Sequence, residues 1–476
     1  MSARRVVVVG GGVAGIAAAV RLAESGIAVT LLDKRPFLGG RASSFTDHLT
    51  GLRLDACQHG TMRCCTALDD LLTRLGVADR IVYHSTLHFL DAAGRRSTIR
   101  RSSLPAPLHT APSFLAFRSL GWRDKLSLAR AFLAILRAGD RPEHAHQDAE
   151  GWFRRAGVTE RAIRQFVEPV LVSACNESLS RIACTHAFKV FRDGFLVNER
   201  AYEFGVPSVP LAALYNEPAE RFLVQRGGLV RHRAIVERLL LTEGGRPAGA
   251  LLVSGERVHA DAVVLATPFD LLRSLLPAEI VEGLTALRGI SEIEWSPIVG
   301  VHLWFDRPIE APDALALLDR RSDWVFRKRG AEWPVAEGSE YLSVVISADR
   351  ELADLPRERV AQIVADEVRA CLPEAGTAQL LRWHVVKERK ATFAPRPGVD
   401  DLRPPQDVGA PGLAIAGEWT RTGWPSTMES AARSGYLAAD VVLRQFGLPA
   451  GGLPADLPPS WLARLLAGGP RRVREG

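Results

Sequence analysis

The stretch Arg5-Val6-Val7-Val8-Val9-Gly10-Gly11-Gly12-Val13-Ala14-Gly15 decides how the rest of the chain is read. Four β-branched residues in a row, ending at glycine, predict a short strand buried on both faces. Gly10, Gly12 and Gly15 then fall in GxGxxG spacing. The first permits a tight turn, the second lets backbone approach a pyrophosphate, and the third lets a helix lie close on the sheet. An alanine-rich helix follows from Val13 to Ser25, closed by Gly26, and its N-terminal amides at Val13 and Ala14 suit a phosphate. A second strand, Ala28 to Leu32, ends at Asp33. That acid lies where it can accept hydrogen bonds from the ribose hydroxyls of an adenosine. Strand, turn, helix, strand and terminal acid agree, so this βαβ unit is read as a dinucleotide cradle.

Working outward, Lys34-Arg35-Pro36-Phe37-Leu38-Gly39-Gly40-Arg41-Ala42 follows at once. It resembles the GGR(A/S) segment of the amine-oxidase and carotenoid-desaturase superfamily of flavoproteins. The resemblance implies FAD as cofactor, with Arg41 helping to hold the pyrophosphate and Lys34, Gly39 and Gly40 beside it. Near the other end, Leu413 to Gly417 reads as a strand entering a glycine turn, followed by Glu418. A loop then leads to a helix that starts within Ser426-Thr427-Met428-Glu429-Ser430. Ser426 and Glu429 have capping-box spacing. This segment resembles the superfamily's closing signature. The resemblance implies Gly417 and Glu418 at the ribityl-phosphate end, with Thr427 and the Met428 amide at the helix N-terminus facing the flavin. Between the two, Gln225-Arg226-Gly227-Gly228-Leu229-Val230 is expected to open a helix through Leu239. A strand pair with a turn at Gly244-Gly245 and a buried strand from Ala262 follow. By the same resemblance this portion, at Val230, touches the adenosine.

The expected fold is α/β: a Rossmann-like FAD domain assembled from residues 1–80, 215–275 and 400–447, with an interleaved α+β substrate domain from 81–214 and 276–399. A chain of 476 residues is long enough for both. Residues 448–476 read as a flexible Gly/Pro-rich tail. No second GxGxxG follows a strand, so the electron donor is expected to be external. The six cysteines form no CxxC pair, which leaves zinc without support. A net charge of +6 is too small on this length to argue for nucleic acid. The N-terminus reads as a strand rather than a leader, and a cytoplasmic protein is expected.

The substrate domain carries one charged feature. From Ala92 to Gly139 there are nine Arg or Lys and one acid, Asp124. A helix over 124–137 would put Arg123, Arg130 and Arg137 in one stripe beside Leu126, Leu128, Phe132 and Leu136. Such a helix either docks on an anionic membrane, at the inner face of the cell membrane, or packs on its own domain with its arginines in water.

Leu54-Asp55-Ala56-Cys57-Gln58-His59-Gly60 resembles the D-x-G-Q-H stretch of the squalene-associated FAD-dependent desaturases, also called the hydroxysqualene dehydroxylase family. The segments Phe166–Glu177 and Phe191–Phe195 resemble the same family, and Cys57 departs from its usual glycine. The resemblance implies a long-chain isoprenoid substrate and reduction of hydroxysqualene to squalene. Asp55 and His59 are expected either near the reacting carbon, with His59 as proton donor, or only as braces for the loop and flavin. Three other readings are weighed. A phytoene-type desaturase would move hydride the other way. An amine oxidase would use an aromatic cage, for which Trp419 and Trp424 are available, and a lysine. Of Lys189, Lys328, Lys387 and Lys390, none is singled out by its context. A non-enzymatic prenyl-lipid carrier is disfavoured by the intact Arg41 and Glu418–Gly435 segments.

Overall fold

The strand Arg5–Val9 lies at the centre of a five-stranded parallel sheet, in the order Leu229–Arg231, Ala28–Leu32, Arg5–Val9, Ala262–Leu265, Leu413–Ile415. A computed structural model describes residues 4–48, 51–139, 141–277, 280, 283–330, 332–333 and 335–468. All five strands run parallel, and the central valines Val6 to Val9 are buried on both faces. One face is covered by the helices Val13–Glu24, Met428–Gln445 and Ala212–Val224. A three-stranded meander, Val236–Leu241, Pro247–Leu252 and Arg257–His259, covers the other. The sheet is therefore complete only when pieces from three distant parts of the chain have joined.

One expectation fails here. Residues 225–239 do not form a helix. The helix Ala212–Val224 ends before them, and Gly227 turns the chain at φ +75°. Leu229–Arg231 then pairs with the open edge of Ala28–Leu32, Val230 opposite Leu31, and Val236–Leu241 enters the meander. Bonds offered by an open sheet edge outweigh a weak helical periodicity.

The second layer is a seven-stranded, mainly antiparallel sheet, in the order Leu380–Phe393, Trp295–Phe305, Glu340–Ser347, Trp324–Arg327, Ala314–Leu317, Thr86–Leu90, Arg96–Arg100. Alternation divides its faces. Val301, Leu303, Val325, Leu342 and Val344 pack outward beneath the helix Arg357–Cys371. Trp324, Phe326 and Val345 face inward, against Phe204 and Val206 of a small sheet formed by Thr61–Met62, Phe204–Pro207 and Ile81–His84. A helical layer over residues 108–196 covers one end. In it, Ile163–Val167 and Arg192–Leu196 are π-helical turns, so both segments with subfamily resemblance adopt an uncommon geometry.

The basic helix spans Trp122–Ala138, with Arg123, Arg130 and Arg137 exposed and Leu128, Ile135 and Leu136 buried. The tail differs from expectation. Asp440 accepts the amides of Gly451 and Gly452, Arg433 pairs with Asp456, and Asn198 donates to Pro458 O. The tail ends in a helix, Trp461–Leu466, against the basic helix, where Arg137 Nε donates to Leu466 O. A glycine- and proline-rich segment has been given fixed partners for its backbone, so it is a strap. Residues 469–476, including Arg471, Arg472 and Arg474, lie outside the described residues.

Candidate cofactor and substrate site

The phosphate turn is held backbone to backbone. Gly10 N donates to Leu32 O at 2.8 Å, and Gly39 N donates to Gly11 O at 2.8 Å. Gly10 adopts φ +105°, and a Cβ there would sit 2.4 Å from Ala266 O. A Cβ on Gly15 would sit 1.8 Å from Gly10 O. Gly12 faces only Gly40, with 4.0 Å of clearance, so the approach to the helix N-terminus at Val13 and Ala14 stays open. Asp33 is buried and its oxygens accept Gly11 N at 2.6 Å and Arg35 N at 2.7 Å. Lys34 is exposed, whereas Arg35 reaches back to Gly40 O at 2.5 Å. Val230 lies one strand beyond Leu31, next to Asp33 through the bond from Asp33 N to Arg231 O.

The first and last motifs meet directly. Arg41 Nη2 lies 2.7 Å from Glu418 Oε2, and Arg41 Nη1 donates to Ala391 O at 2.8 Å. Glu418 is positioned by a residue that escaped the sequence reading. The fully buried Arg403 donates to the carbonyls of Glu418, Trp419 and Thr420 and pairs with Asp400 at 2.9 Å. Asp400 in turn lies 3.5 Å from His186. The one local signal was Arg403-Pro404-Pro405 just before the final strand, where prolines fix the approach of the chain.

The closing helix differs from expectation at its first turn. Thr427 is the N-cap, its Oγ1 accepting Ser430 N at 3.1 Å, and Ser426 does not cap. Glu429 turns away and caps a different helix, Thr66–Arg74, through Ala67 N (3.1 Å) and Leu68 N (2.8 Å). Burial raises its pKa, while Arg433 at 2.6 Å opposes that shift. Glu429 is thus engaged elsewhere, and Thr427 alone caps the first turn of the closing helix. Met428 receives the Tyr215 hydroxyl on its sulfur at 3.3 Å.

Does this site fit FAD? The glycine cradle leaves room at Gly12 and excludes side chains at Gly10 and Gly15. Four buried polar atoms in the loops at the carboxyl ends of the sheet strands find no protein partner among the described residues: Thr267 Oγ1, Glu418 Oε1, Trp424 Nε1 and Ser426 Oγ. Buried polar groups are rarely left unpaired. A polar cofactor across those strand ends supplies such partners, so the residues fit the group.

The loop from Asp55 to Gly60 lies on the seven-stranded sheet. A Cβ on Gly300 would come within 3.1 Å of Cys57 Sγ and 3.3 Å of Ala56 O, so the loop sits directly on that strand. A glycine inside the apolar run Ile298-Val299-Gly300-Val301 was a readable sign of close approach. Asp55 is fully buried. Its Oδ1 accepts Ser44 Oγ (2.7 Å) and Leu211 N (2.9 Å), and its Oδ2 lies 3.7 Å from Lys328 Nζ. These contacts make it a brace beneath the loop. His59 Nδ1 lies 3.0 Å from Cys57 O, and burial lowers its pKa below the usual 6.5. It is neutral at pH 7 with its Nδ1 proton donated to the backbone, which leaves Nε2 as an acceptor. The expected proton-donor role does not follow from this geometry.

Structure also separates the lysines. Lys189 pairs with Asp193 and Lys390 with Asp270, each at 2.5 Å, and Lys387 donates to Leu355 O. Lys328 alone of the four is buried. It stands 3.9 Å over Trp333, and burial lowers its pKa to about 8 despite Asp55. The two tryptophans do not form a cage. Trp419 is core, donating to Thr267 O at 3.0 Å, while Trp424 belongs to a separate cluster under Lys189 and Arg433.

Comparison with known proteins agrees with this geometry. The family model described as flavin containing amine oxidoreductase matches residues 13–443. The hydroxysqualene dehydroxylase of Rhodopseudomonas palustris is 30% identical, over 92% of this chain and 97% of that one. The 15-cis-phytoene desaturase of Solanum lycopersicum is 26% identical, over 94% of this chain and 79% of its own length. Among solved structures, an oxidoreductase from Methanosarcina mazei superposes with TM-score 0.71 at 16% identity, covering 92% of this chain and all of that one. The chain therefore belongs to the flavin containing amine oxidoreductases, as an FAD-dependent oxidoreductase with hydroxysqualene dehydroxylase-like relatives.

Proposed function

We propose that this protein reduces hydroxysqualene to squalene, a step toward hopanoids or related triterpenes. The observation that carries this reading is the match along nearly the whole length of the Rhodopseudomonas palustris hydroxysqualene dehydroxylase. The apolar inner face of the seven-stranded sheet, with Phe204, Trp324, Phe326 and Val345, supports a long hydrocarbon substrate. Bound and reduced FAD would supply the hydride. In the balanced step the carbon–oxygen bond would break, the hydride pair would form the new C–H bond, and the oxygen would take the proton that FADH2 gives up along with the hydride and leave as water. The chain's own part is to orient the carbon and exclude water. Arg41, Glu418 and the N-terminus at Met428 would hold the cofactor, and His59 Nε2 would accept a hydrogen bond.

Electrons would come from an external donor, and the protein would work in the cytoplasm at the inner membrane surface. No helix among the described residues is long and apolar enough to cross a membrane. Trp122, Leu126, Trp461 and Leu465 are exposed on two contacting helices beside Arg123, Arg130 and Arg137, a basic and apolar surface suited to anionic lipid.

The test is to mix anaerobically reduced protein with hydroxysqualene, follow flavin reoxidation and extract the lipid for mass spectrometry. Squalene appearing with oxidised flavin is expected. Untouched alcohol over reduced flavin would sink the reading. It would favour the second one, phytoene-type desaturation, which the tomato enzyme's match over 94% of this chain supports.

A further inference from the structure

We propose that Gln58 is a redox-selective contact to the cofactor: its side-chain oxygen accepts a hydrogen bond from an N–H that the flavin ring carries only when reduced. The proposal rests on FAD as the cofactor and goes beyond the isoprenoid reading above, on which it does not depend.

The loop from Asp55 to Gly60 is held at its base by Ser44 and Leu211 through Asp55, and Cys57 is pressed onto Gly300 of the seven-stranded sheet. At its far end, His59 and Thr61 share a narrow packing gap with Met428, the first residue of the closing helix. Burial lowers the pKa of His59, and the charge of Arg41 adds to that shift, so the imidazole stands in the field of the arginine that pairs with Glu418. The loop thus lies between the substrate sheet and residues of the first and last cofactor motifs.

Hydrogen-bonding capacity on this loop is unbalanced. Gln58 is only 7% exposed. Its Nε2 donates to His59 O at 2.8 Å, which fixes the amide, because the reversed amide would set oxygen against oxygen. Gln58 Oε1 is then an acceptor, buried and without a hydrogen-bond partner among the described residues. Buried acceptors are rarely left unpaired. His59 supplies a second acceptor. Its Nδ1 carries the proton that faces Cys57 O, so Nε2 offers a lone pair. Thr61 Oγ1 is also buried and unpartnered, but a hydroxyl can donate or accept and sets no preference.

The missing donors must come from what binds there. An oxidised isoalloxazine carries a single N–H, and reduction adds at least one more. Two acceptors on one loop therefore match the reduced ring better than the oxidised one. Hydrogen bonds to ring nitrogens are one means by which a protein tunes its cofactor. A bond made in one redox state and lost in the other changes the ratio of the two affinities by about tenfold, which for two electrons is about 30 mV. Gln58 thus favours the reduced ring before substrate arrives, and a weaker external donor suffices to load it.

The test measures the midpoint potential of bound flavin in wild type and in Gln58→Met, by anaerobic equilibration with reference dyes. Methionine keeps the length of the side chain and removes the acceptor. The potential should fall by about 30 mV in the variant, while the affinity for oxidised FAD stays within about threefold of wild type. Equal potentials, with affinity lost alike from both redox states, would make Gln58 a loop brace and overturn the proposal. A second measurement needs no variant. 5-Deaza-FAD has carbon at a ring position where FAD gains an N–H on reduction. Binding to wild type should therefore raise its potential by about 30 mV less than it raises that of FAD. Equal rises would also overturn the proposal. Untouched hydroxysqualene alongside both shifts would sink the proposed reaction and retain the role of Gln58. Turnover with equal potentials would do the reverse.

Discussion

Around the phosphate turn, contacts run from backbone to backbone: Gly10 to Leu32, Gly39 to Gly11, and the missing Cβ of Gly15 over the Gly10 carbonyl. On the inner face of the seven-stranded sheet they run from ring to ring, among Phe204, Trp324 and Phe326. The first region binds a ligand of fixed shape and charge, so its geometry is made of atoms that no side chain can replace. The second is built from apolar side chains, where many residues of similar volume give a similar surface. A substitution in the cradle should therefore act as all or none, and one on the substrate face should act by degrees.

The harshest trial of this contrast is Gly15→Val. With a carbonyl 1.8 Å from the new Cβ, the helix must lift from the sheet, at more than the about 1–3 kcal/mol of ordinary overpacking. We expect protein without flavin, read as the flavin-to-protein absorbance ratio. A normal ratio would break the comparison at its strongest point. Next comes Arg41→Ala. It leaves Glu418 buried and unpaired, which costs about 3–5 kcal/mol for fully buried pairs and less here, about 2–3 kcal/mol, because Arg41 keeps 27% side-chain exposure. FAD affinity measured by titration should fall roughly a hundredfold. Adding Glu418→Gln should recover part of it.

Lys328→Met tests the border between the two regions, through Asp55. The folded pKa of Lys328 is lowered to about 8 from 10.5, so the unfolded chain holds more protons between those values. Wild-type stability should therefore gain a contribution as pH rises from about 8 to 10.5, a contribution absent at lower pH. Chemical denaturation at several pH values should show a flatter profile in Lys328→Met, and identical profiles would remove Lys328 from the account. The mildest effect is expected at His59→Gln. A lost general acid costs about 10²–10⁴-fold, whereas loss of a loop brace should stay within about threefold. A drop beyond a hundredfold, with flavin retained, would restore His59 as proton donor.

The same contrast explains what could be read from sequence. Backbone geometry leaves marks in the glycines, so the turn at Gly10–Gly15 was legible, while Arg41 and the Glu418 segment were picked out by a family resemblance. Lys328 was not. It directly follows a strand, Trp324-Val325-Phe326-Arg327, where a lysine usually reaches solvent, and it is buried by Trp333 and by the loop at Asp55, some 270 residues earlier. The misplaced helix over 225–239 has the same origin, since Leu229–Arg231 is a strand only because Ala28–Leu32 offers it an edge. At the closing helix, adjacent Ser426 and Thr427 both fit an N-cap. Glu429 met the spacing of a capping box while bonding to another helix.

The order of the five parallel strands carries a consequence for biosynthesis. Arg5–Val9 is made before the other four strands, yet its neighbour Ala262–Leu265 and the next strand, Leu413–Ile415, come far later. At about 5–20 residues per second, the roughly 380 residues between Asp33 and Ile415 take about 20–80 s to translate. Arg5–Val9 keeps an open edge until Ala262–Leu265 is made, Ala262–Leu265 keeps one until Leu413–Ile415 follows, and the glycine turn lacks Glu418 throughout. The nascent chain must be shielded for the whole interval, and cofactor loading is confined to the last moments of synthesis or after release.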